Sequence, residues 1–366
     1  MKDINPILSL ILFLIITNSP NVQAQNIIEK IEQEVEATIQ AENIPAVSIG
    51  ILYQDKIHYI NRGHFNRQDD RVVDEKSIYQ IASLGKIFIG IIANNLLLEN
   101  KIRLDQPITK FLPSVFSEKR KRQLEKITIE QLLHHQSGLP QDSRVTYRRK
   151  DGTAYLYDYT EEDLLKDLQK LKIKSGNEYQ YSNTGYAILA YLLEKATGST
   201  YEELLDKYVL TPYDFENTVT VLNAAQQDQL VTPYRKDKRT IETAPWRMGK
   251  MTPPSGLYSN VEDLAKLLKA QLAAYQDYKQ TQQMTPLILT TNKIQKYKQY
   301  TVKYGYGFND WGNETYGHTG DMDGYAGDYS ITLGRNTGVV VLTSSGEDWI
   351  RPMISKINKI LAETPR

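Results

Sequence analysis

Apolar residues recur at helical spacing in some stretches of the chain and form short continuous runs in others. Near the start, their spacing predicts an amphipathic helix over about 26–42. Two strand-like runs follow at 46–53 and 56–62, and the polar pair Gln54-Asp55 between them is typical of a hairpin turn. A sheet is therefore expected to begin early in the chain.

The middle third has the periodicity of helices. Helices are expected at about 83–99, 161–171 and 183–197, and Gly198 closes the last of them. Thr128 is expected to cap a further helix, because its hydroxyl can accept a hydrogen bond from the first helical turn. This part of the chain is therefore predicted to be mostly helical.

Strand character returns in the last third. Ser259 or Asn260 is expected to cap one more helix. The runs at 325–333 and 339–343 predict a second hairpin, and a closing helix is expected at about 349–363. Strands near both ends with helices between them predict an α+β fold, an α/β sandwich whose sheet is built from both chain ends and carries a mostly helical insertion.

The first residues have the features of a targeting segment. An apolar run at 7–16 is followed by small residues at the two positions of 22–24 that a signal peptidase reads. We expect a signal peptide over 1–24, cleaved before Gln25, and hence a periplasmic or secreted protein with no stable membrane span after cleavage. Asp3 makes the charged start a poor one, so a retained N-terminal anchor is the alternative.

Length and composition limit the partners. With 366 residues the chain can bury a large core, and we expect 25–366 to form one domain, with a sheet subdomain at about 25–95 and 250–366 and a helical subdomain at about 96–249. Lys plus Arg and Asp plus Glu both number 44, so the net charge is zero and nucleic acid is not an expected partner. The absence of cysteine excludes a disulfide framework and a lipid-modified N-terminal cysteine.

Ser83 and Lys86 are the first candidates for chemistry. They are three residues apart at the start of an apolar helix, so their side chains share one face. Serine needs a neighbour that accepts its proton, and burial, a nearby positive charge and the positive end of a helix all favour a neutral lysine. The N–H groups at the helix start can also stabilise an oxyanion. A single Ser-x-x-Lys also arises by chance, so the pair needs further support.

Two later motifs provide that support. Tyr181 and Asn183 precede a long helix, where a phenol can relay protons and an amide can orient a substrate carbonyl. His318 and Thr319, placed just before a strand, can donate to a substrate, while Gly320 lets the substrate lie close to the backbone.

In this order, the three motifs resemble the signatures of the penicillin-recognising serine hydrolases, and most closely the class C β-lactamase-like group. The resemblance covers nearly all of the chain that follows the expected signal peptide. It implies a serine β-lactamase/transpeptidase-like fold with an antiparallel sheet flanked by helices. The motifs are Ser83-Leu84-Gly85-Lys86, Tyr181-Ser182-Asn183 and His318-Thr319-Gly320, and the supporting segments are 104–107, 132–140, 181–197, 256–258 and 317–327.

The resemblance implies specific roles. Ser83 is the expected acylated nucleophile, Lys86 its proton partner and Tyr181 the co-base, although Tyr258-Ser259-Asn260 repeats the second motif and competes with it. The expected oxyanion hole is formed by the backbone N–H groups of Ser83 and of the residue that follows the third motif. The residues implied in substrate binding are Asn183, His318, Thr319, Gly320 and Asp321.

The implied activity is that of an exported serine hydrolase that forms an acyl-enzyme on D-amino-acid peptides, of the D-alanyl-D-alanine carboxypeptidase or D-aminopeptidase type, or on similar amides and esters. Peptidoglycan is a candidate partner. His318 stands where class C β-lactamases usually have lysine; with a pKa near 6.5 it attracts a carboxylate less, which favours other activities over a dedicated β-lactamase. The alternatives are a carboxylesterase and a class C-like β-lactamase.

Gly85 raises an alternative of another class. It stands where the family usually has a hydroxyl residue, and a helical glycine costs up to about 1 kcal/mol relative to alanine. If it loosens the turn that aligns Ser83 with Lys86, the chain is a non-catalytic penicillin-binding or regulatory homologue.

No metal or cofactor is expected. His134 and His135 are adjacent and point to different faces, so we interpret them as loop or core residues. Asp321, Asp323 and Asp328 resemble a calcium loop, but the glycine is at the fourth position and the final glutamate is absent.

Overall fold

The computed structural model describes residues 20–142, 159–174, 178–235, 237–288, 295–296, 303–346 and 348–363. Most of the expected signal peptide, residues 1–19, lies outside the described residues. The first helix begins at Pro20 and ends at Glu42, so it contains the helix expected at 26–42.

Eight strands of the described chain form one antiparallel sheet, in the order β2-β1-β10-β9-β8-β7-β6-β5, and β3 and β4 pair separately. The sheet therefore joins the first strands of the chain to the last ones, which confirms the α+β fold with a sheet built from both ends. The strands are β1 (Ala46–Tyr53), β2 (Lys56–Gly63), β3 (Tyr79–Gln80), β4 (Tyr258–Ser259), β5 (Gln295–Lys296), β6 (Lys303–Gly305), β7 (Phe308–Gly312), β8 (Thr315–Met322), β9 (Tyr325–Thr332) and β10 (Thr337–Thr343).

Between β3 and β4 the regular elements of the described chain are helices, as expected for the middle third. A π-helical turn, Asp206–Leu210, joins two of them, and 3₁₀ turns lie at Ala82–Leu84, Ile108–Lys110, Gly249–Met251 and Leu333–Arg335. The α-helices are α1 (Pro20–Glu42), α2 (Gly85–Leu98), α3 (Glu118–Leu124), α4 (Ile129–Leu133), α5 (Glu161–Lys170), α6 (Asn183–Thr197), α7 (Tyr201–Leu205), α8 (Thr211–Tyr213), α9 (Ala224–Asp228), α10 (Thr252–Ser255), α11 (Val261–Thr281) and α12 (Ile350–Ala362).

Helices cover both faces of the sheet. On one face Val47, Ile49 and Val341 pack with apolar residues of α1 and α12, and on the other Leu52 and Leu342 belong to the core that contains α2, α6 and α11. Every residue of β1 is buried, because the strand is covered on both sides. A run of apolar residues without strict alternation is the pattern that such a strand requires.

Local signals placed several elements correctly. The β1–β2 turn has Gln54 at φ +48° and Asp55 at φ +60°, the two left-handed positions of a type I′ hairpin turn. Thr128 and Gln131 form a reciprocal capping box at α4. Asn260, one of the two expected candidates, caps α11 by accepting from the Asp263 N–H at 2.8 Å.

The third motif differs from its prediction. His318, Thr319 and Gly320 lie inside β8, not ahead of a strand. Strands β6 and β7 were not expected, because they are short, contain glycine, asparagine and aspartate, and do not alternate between apolar and polar residues. They are strands because β7 pairs with β8 and β6 pairs with β7.

Within the described part of the chain, every helix is too short or too polar to cross a lipid bilayer.

Candidate active site

Ser83 lies in a tight turn at the edge of the core. Ile81 precedes a 3₁₀ turn at Ala82–Leu84, and α2 begins only at Gly85, so the nucleophile candidate precedes the α-helix in which it was expected. Ala82 has φ +47°, a left-handed conformation that costs a non-glycine residue about 1 kcal/mol or more. Backbone strain of this kind concentrates at functional sites.

Lys86 is fully buried beside Ser83. Its Nζ lies 2.9 Å from Ser83 Oγ and 2.9 Å from the carbonyl oxygen of Pro254. Burial lowers the pKa of Lys86 well below its usual value, and the negative charge of Asp142 opposes this only in part. A neutral amine can donate an N–H to the Pro254 carbonyl and can accept the proton of Ser83 with its lone pair.

Gly85 makes the contact with Pro254 possible. A Cβ at Gly85 would lie 2.3 Å from the carbonyl oxygen of Pro253, much closer than real Cβ atoms approach any heavy atom. The missing side chain therefore lets α10 pack directly on the start of α2. This is a physical reason for the glycine other than a loosened turn.

Tyr181 completes the contacts of the nucleophile candidate. Its hydroxyl donates to Ser83 Oγ at 2.9 Å, and Lys86 Nζ lies 5.1 Å from the centre of its ring. The next residue, Ser182, caps α6 by accepting from the Gly185 N–H at 2.8 Å. The cap fixes the backbone beside Tyr181.

The competing Tyr258-Ser259-Asn260 string serves the fold. Tyr258 and Ser259 form β4, and Asn260 caps α11. The Ser259 hydroxyl is hydrogen-bonded to that of Thr218 at 2.7 Å. The phenol that contacts Ser83 is that of Tyr181.

Strand β8 passes directly along the Ser83 turn. A Cβ at Gly320 would lie 2.5 Å from the Ile81 carbonyl oxygen and 3.2 Å from the Ser83 nitrogen, so only glycine permits this approach. The ladder between β7 and β8 ends at Gly317, whereas the ladder between β8 and β9 continues to Met322. The end of β8 beside the serine therefore has one side that β7 does not cover.

His318 is a neutral imidazole in this site. The residue is 3% exposed, and its Nδ1 lies 2.5 Å from the Thr319 carbonyl oxygen, a distance at which Nδ1–H donates. Burial, followed by the positive charge that Lys86 carries when it is protonated, lowers the pKa of His318 to about 3. The remaining ring nitrogen, Nε2, is then an acceptor, and it has no hydrogen-bond partner among the described residues.

Thr319 and Asp321 occupy the alternate positions of β8. Because side chains alternate along a strand, they lie on the face opposite to His318 and Gly320, and Thr319 pairs with Asp328 of β9. Two of the predicted residues on this strand face the candidate site. The His318 ring lies beside the Tyr181 ring, and Gly320 lies against the Ser83 turn.

Asn183 is nearly buried at the start of α6. Its Nδ2 donates to Asp142 Oδ1 at 2.8 Å, while its Oδ1 has no partner among the described residues. The Asn183 amide therefore uses its donor, Nδ2, within the site, and its acceptor, Oδ1, is left for another donor.

Pro254, Asp142 and His135 belong to the site without having been predicted for it. Pro254 contributes only a backbone carbonyl, which no side-chain motif indicates. Asp142 acts through Asn183 and through its charge on Lys86. His135 was expected to be a loop or core residue, and its ring lies 4.4 Å from that of Tyr181.

Across the described residues, no group of three or more His, Cys, Asp or Glu side chains is arranged to hold a metal ion. Arg144, Arg148 and Arg149, in or near the tyrosine-rich insertion at 147–159, lie outside the described residues.

Comparison with known proteins gives consistent matches. The model of the Beta-lactamase family matches residues 29–353. Protein flp of Staphylococcus aureus (strain N315) is 24% identical over 334 residues, which are 90% of this chain and 66% of flp. A protein named Beta-lactamase from Escherichia coli (strain K12) is 23% identical over 264 residues, 71% of this chain and 65% of that protein. The matches therefore span a little under two-thirds of the length of these relatives.

Proposed function

The chain belongs to the Beta-lactamase family, and from the contacts of Ser83 we propose that it is a serine hydrolase that forms an acyl-enzyme on D-amino-acid peptides or on similar amides and esters. The observation that carries this proposal is that Ser83 Oγ lies 2.9 Å from both Lys86 Nζ and the Tyr181 hydroxyl. A half-buried hydroxyl between a buried amine and a phenol has both a proton acceptor and a proton relay.

The proposed reaction uses these groups in sequence. Ser83 Oγ attacks the substrate carbonyl carbon while its proton passes to Lys86 Nζ. The carbonyl oxygen becomes an oxyanion, which the backbone N–H groups of Ser83 and Asp321 are proposed to stabilise. The C–O or C–N bond to the leaving group then breaks, and the leaving group takes the proton that Lys86 had accepted, relayed through Tyr181, which leaves Lys86 neutral again. Attack of water on the acyl carbon releases the acid and restores the Ser83 hydroxyl.

The neutral state of His318 narrows the substrate class. At the position where class C β-lactamases usually carry an ammonium, this site has an uncharged ring buried beside Lys86. A substrate carboxylate would therefore gain no ion pair with His318. We therefore favour D-aminopeptidase-type amides and neutral esters over substrates that depend on a free carboxylate.

Labelling tests the acyl-enzyme step directly. A fluorophosphonate should add mass to Ser83 of the wild type, and the adduct should be absent from the folded Ser83→Ala variant. An unlabelled but folded wild type would contradict the proposed function and would favour the non-catalytic homologue.

A substrate panel tests the substrate class. We expect the wild type to hydrolyse a short-chain aryl ester and a D-alanine amide or anilide with a free amino group at higher kcat/KM than a D-alanyl-D-alanine peptide or a chromogenic cephalosporin. The last two carry a carboxylate. Initial rates at pH 7 measure the order, and Ser83→Ala gives the background for each substrate. A clear preference for the two carboxylates would overturn the role assigned to His318.

The pH dependence of kcat/KM reports the protonation state of Lys86. The amine is active when neutral, so the rate falls as the pH drops through its pKa, which burial lowers. We expect an acid limb at a pH well below about 10.4, the pKa of a free lysine. His318, with a pKa of about 3, should add no limb near pH 6.5. A rate that kept rising about tenfold per pH unit to pH 10 would show that Lys86 titrates like a free lysine.

A further inference from the structure

The backbone on both sides of Tyr181 is bound to a single residue, His135. The Gln180 N–H donates to the His135 carbonyl oxygen at 2.7 Å, and the Ser182 N–H donates to His135 Nδ1 at 3.1 Å. The rings of His135 and Tyr181 lie 4.4 Å apart between centroids. Two hydrogen bonds to the flanking backbone and one ring contact therefore hold Tyr181 in place.

His135 occupies a backbone position that usually requires glycine. It follows α4 with φ +56°. Its N–H donates to the Leu132 carbonyl at 3.2 Å, and the Gln136 N–H donates to the Gln131 carbonyl at 2.7 Å. These bonds form a Schellman motif, in which glycine is the common residue at the left-handed position. A side chain here costs about 1 kcal/mol or more.

The hydrogen bond from Ser182 also determines the tautomer of His135. An N–H can donate to Nδ1 only if that nitrogen carries a lone pair, so the proton of the neutral ring is on Nε2. Nε2 is buried and has no hydrogen-bond partner among the residues that the structure describes, which costs about 1–3 kcal/mol. Burial, and then the charge of Lys86, lower the pKa of His135 well below its usual value, so the ring stays neutral. Two unfavourable features at one residue are typical of a functional role.

We propose that His135 is a positioning residue for proton transfer by Tyr181. Its Nδ1 lone pair holds the Ser182 N–H, and this bond keeps the Tyr181 hydroxyl at 2.9 Å from Ser83 Oγ. His135 itself exchanges no proton with the substrate. The kinetic consequence rests on the acyl-enzyme function proposed above, whereas the hydrogen bonds beside Tyr181 do not.

A matched pair of variants isolates the Nδ1 acceptor. His135→Asn places an amide oxygen close to the position of Nδ1, and asparagine tolerates the left-handed backbone. His135→Gln also has an amide, but one methylene farther from the backbone. Both variants remove the ring, so a difference between them at similar melting temperatures reports the position of the acceptor. We expect His135→Asn to have about tenfold higher kcat than His135→Gln on an ester or amide that the wild type hydrolyses, with KM values within about twofold.

Amide exchange gives a second readout that needs no turnover. In hydrogen exchange followed by mass spectrometry, the peptide that contains Ser182 should exchange faster in His135→Gln than in His135→Asn or the wild type, with similar melting temperatures for the two variants. Equal kcat and equal exchange in the two variants would overturn the proposal, as would equal losses in both with a lowered melting temperature. If the wild type is not acylated at Ser83, the proposed function fails, and exchange alone decides whether His135 holds this segment.

Discussion

Lys86→Met is expected to lower the rate of Ser83 acylation by about 10³-fold to 10⁴-fold and to leave the fold intact. Methionine has a similar length and is uncharged, and Lys86 is fully buried, so the replacement removes the proton acceptor from Ser83 with little change in packed volume. The Pro254 carbonyl loses its donor, which costs about 1–3 kcal/mol of stability. Single-turnover acylation by an aryl ester measures the rate, and thermal unfolding measures the stability.

Lys195→Met is the matched control for this variant. Lys195 Nζ forms a surface ion pair with Glu161 at 3.2 Å, an interaction worth about 1 kcal/mol at most. The control should acylate within about twofold of the wild-type rate. If Lys86→Met kept more than about a tenth of that rate, a group other than Lys86 would be the base that activates Ser83.

Gly85→Ala is expected to lower kcat by about 100-fold. We expect the free energy of unfolding to fall by less than the activation free energy rises. The new Cβ would lie 2.3 Å from the Pro253 carbonyl oxygen, so α10 must move away from α2. Pro253 also lines a cavity of about 630 Å³ between α6, α7 and the segment at 246–258, which gives α10 room to move. The movement withdraws the Pro254 carbonyl from Lys86 Nζ, now at 2.9 Å, and misaligns the base.

Steady-state kinetics and thermal unfolding together check this prediction. Gly50→Ala is the control, because Gly50 lies in β1 and a Cβ there would approach the Ala265 side chain at 3.3 Å, away from Ser83. The control should lose stability without a specific loss of kcat. Unchanged activity in Gly85→Ala would show that the contact between α10 and α2 is not needed for turnover, and that the glycine does not serve the alignment of Lys86.

The elements that sequence reasoning placed correctly are those set by local interactions. The hairpin at Gln54-Asp55 and the cap at Thr128 each depend on residues within four positions of one another. The contact between Ser83 and Lys86 is also local, because a spacing of three residues brings two side chains together in both the 3₁₀ turn and the α-helix.

Prediction from the sequence failed where pairing or packing with distant segments determines the local structure or the role of a residue. β6 and β7 contain residues that disfavour strands, and they are strands because they continue the sheet beside β8. From the sequence, Gly85 could be interpreted only as a weak point of a helix. In the fold it packs against Pro253, which lies 168 positions after it in the chain. His135 was similarly undistinguished, because its partners on either side of Tyr181 lie more than 40 residues away.

By itself the sequence determined which chemical groups are available and the order in which they occur: a serine with a lysine three residues on, a tyrosine just before a long helix, and a histidine two residues before a glycine. Only the tertiary structure decided the protonation states of these groups and the distances between them. The pKa values of Lys86 and His318 are lowered mainly by burial, and burial comes from elements far apart in the chain. Tyr181 reaches Ser83 across 98 residues because α2, α6 and β8 pack around one core, and no local pattern encodes that distance.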